Sequence, residues 1–245
     1  MCVSVGATGA KTTVRVRLLE PLNGDSELKE LRRAYHDRIA ELRERSLAVL
    51  RCAITGAEQA VEVFLGGDPA LVAGMAGRAG DIAAVAAEVD DEVISLLALE
   101  APVARDLRVI LASRDVTQLS LLCVGLALTL SKRAGSAGRL SYPGLRERIA
   151  AAGGRTTALM HLADACWSTL DSDLATGVIT EAVATRVVQV EFFSALLALT
   201  DVPVDVALDL GLTSRAFDRL ADHAVEIAER VLFAVHGRRT PVAGI

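Results

Sequence analysis

Apolar residues recur at helical spacing along most of the chain, and the pattern stops at a few sharp breaks. Ile39, Leu42, Leu47, Leu50 and Ile54 fall along one helical face, which predicts a first helix over 31–64. Gly66-Gly67-Asp68-Pro69 ends it, and Asp68 stands where it can cap a following helix with Pro69 in its first turn. That second helix is expected to run to about Leu99, where Ala101-Pro102 breaks it. A third is expected over 103–132. Residues 134–144 are rich in Gly, Ser and Pro and read as a linker. The plan then repeats. A long helix is expected over about 145–170, and Asp171-Ser172-Asp173 marks a turn and cap. A shorter helix is expected over about 179–200, Asp201-Val202-Pro203 is the next break, and the last helix ends before Gly237.

The expected fold class is therefore all-α, two tandem three-helix bundles in a six-helix architecture. Its parts are a tail over 1–29, expected to be disordered, a first bundle over 30–133, a linker over 134–144, a second bundle over 145–237 and a C-terminal tail over 238–245. Two matched pairs support a tandem repeat. Pro102-Val103 and Pro203-Val204 are separated by the same distance as Ser113-Arg114 and Ser214-Arg215.

Composition agrees with helix-on-helix packing. Hydrophobic residues are 52% of the chain but aromatics only 3%, so the apolar content is mostly Ala, Leu and Val. Glycines cluster at Gly66-Gly67, Gly135 and Gly138, and Gly153-Gly154, the expected joints. The net charge of -5 argues against nucleic acid as a partner, since no basic face dominates. Cys2, Cys52, Cys123 and Cys166 form no CxxC pair; the last three stand in apolar surroundings and read as small core residues, with a reduced, cytoplasmic compartment expected. No secretory signal is evident in the first residues. The run 116–131 carries no charge. It is short of the roughly 20 apolar residues that a membrane span needs. Burial inside the bundle is one reading. An exposed apolar patch that seeks a partner, a second copy or a membrane surface is the other.

Three stretches carry a family resemblance. Leu31-Arg32-Arg33-Ala34-Tyr35-His36-Asp37 resembles the opening helix of the PhoU family, the accessory regulators of bacterial phosphate uptake. Leu96-Leu97-Ala98-Leu99-Glu100-Ala101-Pro102-Val103-Ala104-Arg105-Asp106-Leu107-Arg108 resembles the family's "LLALQxPVAxDLR" signature. Asp218-Arg219-Leu220-Ala221-Asp222-His223-Ala224-Val225-Glu226-Ile227-Ala228-Glu229 resembles its "ERIxDHAxNIAE" signature. The resemblance implies a cytoplasmic negative regulator of phosphate-starvation signalling, peripheral to the membrane at most. Its implied partners are a phosphate ABC transporter subunit and a sensor histidine kinase, and a homodimer is expected. Some members of the family bind metal ions on an exposed face through an E/DxxxD motif in each half, and the resemblance raises the same expectation here.

The first half departs from that pattern. Leu119, Leu121 and Gly125 stand where the family carries carboxylates, and the acidic position near Ala83 is also lost. The second half keeps Asp218 and Asp222, with Glu226 one turn further. At i, i+4, i+8 these three stack along one helical stripe, where like charges repel unless something offsets them. A divalent or iron metal ion is one answer, held by Asp218, Asp222 and Glu226, with Glu191 as the best guess for a ligand from a second helix. A solvated face balanced by Arg215, Arg219 and Arg230 is the other. His223 reads as a ligand or, more simply, a structural histidine. Asp106 reads as a helix cap or ion-pair partner. Glu88, Asp90, Asp91 and Glu92 read as a residual metal site on the first bundle or, more simply, a solvated acidic face. There is no GxSxG, P-loop, GxGxxG in a βαβ setting or HExxH, so no catalytic set is visible and the chain is not expected to be an enzyme. Two other readings remain, a helical adaptor unrelated to phosphate signalling and a helical metal-binding protein. The second lacks the Glu with Glu-x-x-His pairs of that class.

Overall fold

A computed structural model describes residues 25–136, 144–200 and 202–237. Most of the expected linker, the C-terminal tail, Asp201 and residues 1–24 lie outside the described residues. Among the described residues every regular element is helical: α1 Asp25–Phe64, α2 Ala70–Ala73, α3 Met75–Glu100, α4 Ala104–Ser136, α5 Leu145–Thr169, α6 Ser172–Leu197 and α7 Val204–His236. The all-α expectation holds.

The helix ends follow local chemistry. Asp68 Oδ1 accepts from Ala70 N at 2.9 Å, as its position before the second helix predicts. Asp171 Oδ1 accepts from Asp173 N and Leu174 N at 2.8 and 3.0 Å, capping α6. Gly237 ends α7 with φ +73°, and its N–H donates to Phe233 O at 2.8 Å.

Four expectations need correction. The 1–29 tail gives way to helix at Asp25. The second expected helix is two pieces, α2 and α3, separated at Gly74. The expected 179–200 helix begins at Ser172, because burial of Ala175 and Val178 outweighs the poor helix propensity of Gly177 and the β-branched run Val178-Ile179-Thr180. Gly153-Gly154 is no joint but lies inside α5. A Cβ on Gly153 would meet Val61 Cγ2 at 2.5 Å and Phe217 Cζ at 3.2 Å, so the missing side chain lets α1, α5 and α7 close together.

The described residues fall into two compact units, divided between His36 and Asp37. In the first, residues 26–34 are exposed and the rings of Tyr35 and His36 lie 5.2 Å apart. In the second, α5, α6 and α7 pack on one another, α3 packs on α4, and α4 runs along α7. The two repeats meet through antiparallel helix pairs. Between α4 and α7, Arg108 donates to Ala234 O and Val235 O at 3.2 and 3.3 Å, Arg230 pairs with Asp115 at 2.9 Å, and Arg133 pairs with Asp209. Between α1 and α5, Arg51 pairs with Asp164 at 2.9 Å and His161 with Glu58 at 2.7 Å.

One end of the α1–α5 seam is a polar latch beside an apolar core. Trp167 is fully buried, and its Nε1 donates to Ser46 Oγ at 2.8 Å. Arg43 Nη2 donates to the carbonyls of Trp167 and Ser168 at 2.9 and 2.6 Å, at the C-terminal end of α5. A guanidinium there satisfies carbonyls that the helix leaves without partners. Its carbon also lies 5.7 Å from the centre of the Trp167 ring.

Candidate functional site

The acidic stripe lies on α7, between α6 and the helices beneath. One side of α7 is core: Phe217, Leu220, Ala224 and Ile227 are buried. The periodicity that buries them turns Asp218, Asp222 and Glu226 toward the rim. Their environments differ. Asp222 keeps only 15% of its side chain exposed, and its Oδ1 accepts from Arg186 Nη2 at 2.8 Å. Asp218 is half-buried, and this burial pushes its carboxyl above the ordinary carboxylate range against the pull of Arg215. Glu226 is more open and lies 3.5 Å from His223 Nδ1, outside hydrogen-bond geometry.

His223 is a core residue, 3% exposed, and burial lowers its pKa. Glu229, six residues beyond, has its pKa raised by burial. Glu191 lies exposed on α6, and its backbone carbonyl accepts from Arg148 at 3.4 Å. It is five residues past Arg186, which turns it well away from the side of α6 that faces Asp222. Among the described residues, no three His, Cys, Asp or Glu side chains converge where an ion could be shared. The implied metal therefore does not fit: Asp218, Asp222, Glu226 and Glu191 are not brought around one point, and the best-placed carboxylate already holds a guanidinium.

The cations of the stripe are also redistributed. Arg230 leaves it for Asp115 on α4, whereas Arg215 and Arg219 stay exposed on α7. Arg186, from the neighbouring helix, is the residue that sequence reasoning missed. No local pattern marks it, because its partner lies on another helix.

In the first repeat, three of the four acidic side chains of α3 have arginine partners, while Glu88 stays 62% exposed and Asp91 is exposed. Glu92 pairs with Arg38 at 2.8 Å, Glu88 with Arg45 at 3.4 Å and Asp90 with Arg114 at 3.1 Å, with Gln118 also donating to Asp90 at 3.2 Å. The stretch 116–131 is packed, not a patch. Val116, Cys123, Ala127 and Leu130 are fully buried, and Leu122 is its one exposed large apolar side chain. α4 is long and apolar enough to cross a membrane by length and composition, but 56% of that apolar window is buried inside this fold. Burial pushes the Cys123 and Cys166 thiols up to about 12. Cys52, expected in the core, is only half-buried, beside Arg51, Arg78 and Asp81 in an open groove of about 330 Å³ between α1 and α3. Exposed apolar side chains gather on α6 and the start of α7: Val190, Phe193, Leu197, Val204, Leu208 and Leu212.

The chain is similar to known proteins over most of its length. It is 31% identical to "Phosphate-specific transport system accessory protein PhoU homolog 2" of Mycobacterium tuberculosis over 218 residues, covering 84% of this chain and 99% of that protein. It is 30% identical over 214 residues to "Phosphate-specific transport system accessory protein PhoU homolog 1" of Mycobacterium leprae, covering 84% and 95%. The fold matches the crystal structure of PhoU from Pseudomonas aeruginosa with a TM-score of 0.76 at 21% identity, over 83% of this chain and all of that one. It matches the phosphate transport system regulatory protein PhoU from Streptococcus pneumoniae with a TM-score of 0.77 at 13% identity, over 85% of this chain. No family model matches the chain. Identity at this level across nearly the whole of the mycobacterial relatives, on the same helical fold, places the chain in the PhoU family.

Proposed function

We propose that the chain is a phosphate-transport accessory protein that represses phosphate-starvation signalling by docking to a phosphate ABC transporter subunit and a sensor histidine kinase. The observation that carries this reading is the identity with PhoU homolog 2, which spans 99% of that relative. The fold suits a docking role. Antiparallel seams along α1/α5 and α4/α7 tie the helices of the second unit together, and apolar side chains exposed on α6 and α7 are of the kind that mark contact surfaces. In this reading the protein works in the cytoplasm, as a homodimer, by contact rather than by catalysis.

Deletion of the gene tests it. Starvation-response genes should then be expressed in high phosphate, and the wild-type gene on a plasmid should silence them again. Unchanged repression in the deletion strain would remove the reading. A helical adaptor outside phosphate signalling is the second reading, favoured by one observation: α4 has no carboxylate where the resemblance expects a charged face, and that stretch is packed. Pull-down from the same strain separates the two, since the adaptor would retain partners other than the transporter and kinase.

A further inference from the structure

We propose that Arg186 is the resident counter-cation of the α6/α7 carboxylates and fills the place where the family resemblance puts a metal ion. Asp222 is the residue that needs one. With 15% of its side chain exposed, it has lost most of its water, and an unpaired carboxylate there would be costly. Arg186 supplies the charge directly, Nη2 to Oδ1, at 2.8 Å. Its reach includes Asp218, whose ionised form is favoured by the Arg186 charge as well as by Arg215. Thus one guanidinium serves the two carboxylates that an E/DxxxD motif would offer to an ion.

A divalent cation has no room in this arrangement. It would have to displace the guanidinium or sit beside it, where like charges a few ångströms apart repel. The remaining carboxylates do not compensate, because Glu226 leans toward His223 and Glu191 is out of line. The first repeat uses the same device with the charges exchanged between helices: Asp90 on α3 and Arg114 on α4, at 3.1 Å. In both repeats an arginine–carboxylate pair ties the second long helix to the third. An arginine stays protonated at every physiological pH. The positive charge beside Asp222 is therefore supplied by the chain itself and is independent of metal supply.

The test is calorimetric titration of metal-stripped protein with Mn²⁺ and with Zn²⁺. It compares wild type, Asp222→Asn, Arg186→Lys, Arg186→Ala and Arg186→Ala/Asp222→Asn. Arg186 is half exposed at its side chain, so these variants should fold, and Arg186→Lys keeps the charge while changing the shape. Wild type and Arg186→Lys should take up no ion at Asp222. Arg186→Ala should bind an ion at least about tenfold more tightly than the titration's detection limit for the other two, and the added Asp222→Asn should erase that binding. One equivalent bound by wild type and lost in Asp222→Asn would overturn the proposal. So would an Arg186→Ala protein that gains nothing, because Arg186 would then not be what holds the ion's place.

Discussion

α4 and α7 hold matching places in the two repeats, and the chain has made them opposites. Both are 33 residues long, both follow a proline break, and each lies antiparallel along the other. The middle of α4 is packed: Ser113, Thr117 and Ser120 are fully buried, and their hydroxyls bond to carbonyls four residues back at 2.9, 2.8 and 2.7 Å. That is how a polar residue can be buried without leaving a partnerless group. α7 divides its circumference between a packed side and a rim that carries Arg215, Asp218, Arg219 and Asp222. The difference teaches that a position in a repeat does not by itself require charge. A charged face can be exchanged for core when a neighbouring helix covers it, and the surviving face can be neutralised from within.

The strongest way to break the comparison is to put a carboxylate back into α4. Cys123 is fully buried, and burial outweighs the opposing pull of Arg219 on its thiol. Cys123→Asp should cost on the order of 4 kcal/mol or more, the cost of burying an unpaired charge or keeping it protonated. Urea unfolding should show a collapse of the midpoint or no folded baseline at all. A variant nearly as stable as wild type would mean that α4 is not sealed by α7.

The thiol itself gives a second handle. Burial raises Cys123 and Cys166 from 9.0 to about 12, so the fold holds the protonated form more tightly than the unfolded chain does. Stability from this source is whole below pH 9 and is lost as the pH climbs from 9 toward 12. Each thiol contributes at most about 1.4 kcal/mol per pH unit across that window. Cys123→Ala should therefore lose less stability between pH 9 and 11 than wild type does, although it is the weaker protein at pH 7. Parallel stability curves would show that Cys123 ionises freely and that the α4 core is wet.

What the sequence could and could not disclose follows from the range of each interaction. Asp68, Asp171, Pro102, Pro203 and Gly237 act within a few residues, so the breaks and caps were legible from neighbours alone. The packing of 116–131 was not. The same apolar run suits a buried helix or an exposed patch, and the decision rests on α7 lying against it. Gly153 looked like a joint because its reason is Val61, far away on α1. The carboxylates of the candidate site were visible by their spacing. Arg186 was not, because α6 offers no periodic cue that this arginine, and not Glu191, reaches them.

Arg108 sharpens the comparison at the ends of the two helices. It lies in the first repeat's signature, yet it donates to Ala234 O and Val235 O at the C-terminal end of α7. A cation there meets both the free carbonyls and the negative end of the helix dipole. Arg108→Ala should cost about 2 kcal/mol, near the range for hydrogen bonds that carry a charge. Amide exchange should quicken in the last turns of α7 and stay unchanged at Asp171 and the start of α6. Loss spread evenly over α5, α6 and α7 would mean that the seam fails as a whole and Arg108 is no local clasp.

The smallest effect is expected one residue from the largest. Leu122 precedes Cys123 on α4 but is 55% exposed, because that step of the helix turns it away from α7. Leu122→Glu should change stability by less than about 0.5 kcal/mol, as surface substitutions do. Set beside Cys123→Asp, it measures the contrast between covered and open positions on one helix, with backbone and helix propensity almost held constant. If Leu122→Glu proved as damaging as Cys123→Asp, Leu122 would have to be covered in solution, and the surface that covers it would belong to another molecule. If it is silent, the loss of charge from α4 was not forced at every position. It was forced only where α7 lies, and the two repeats diverged because one helix came to serve as the other's core.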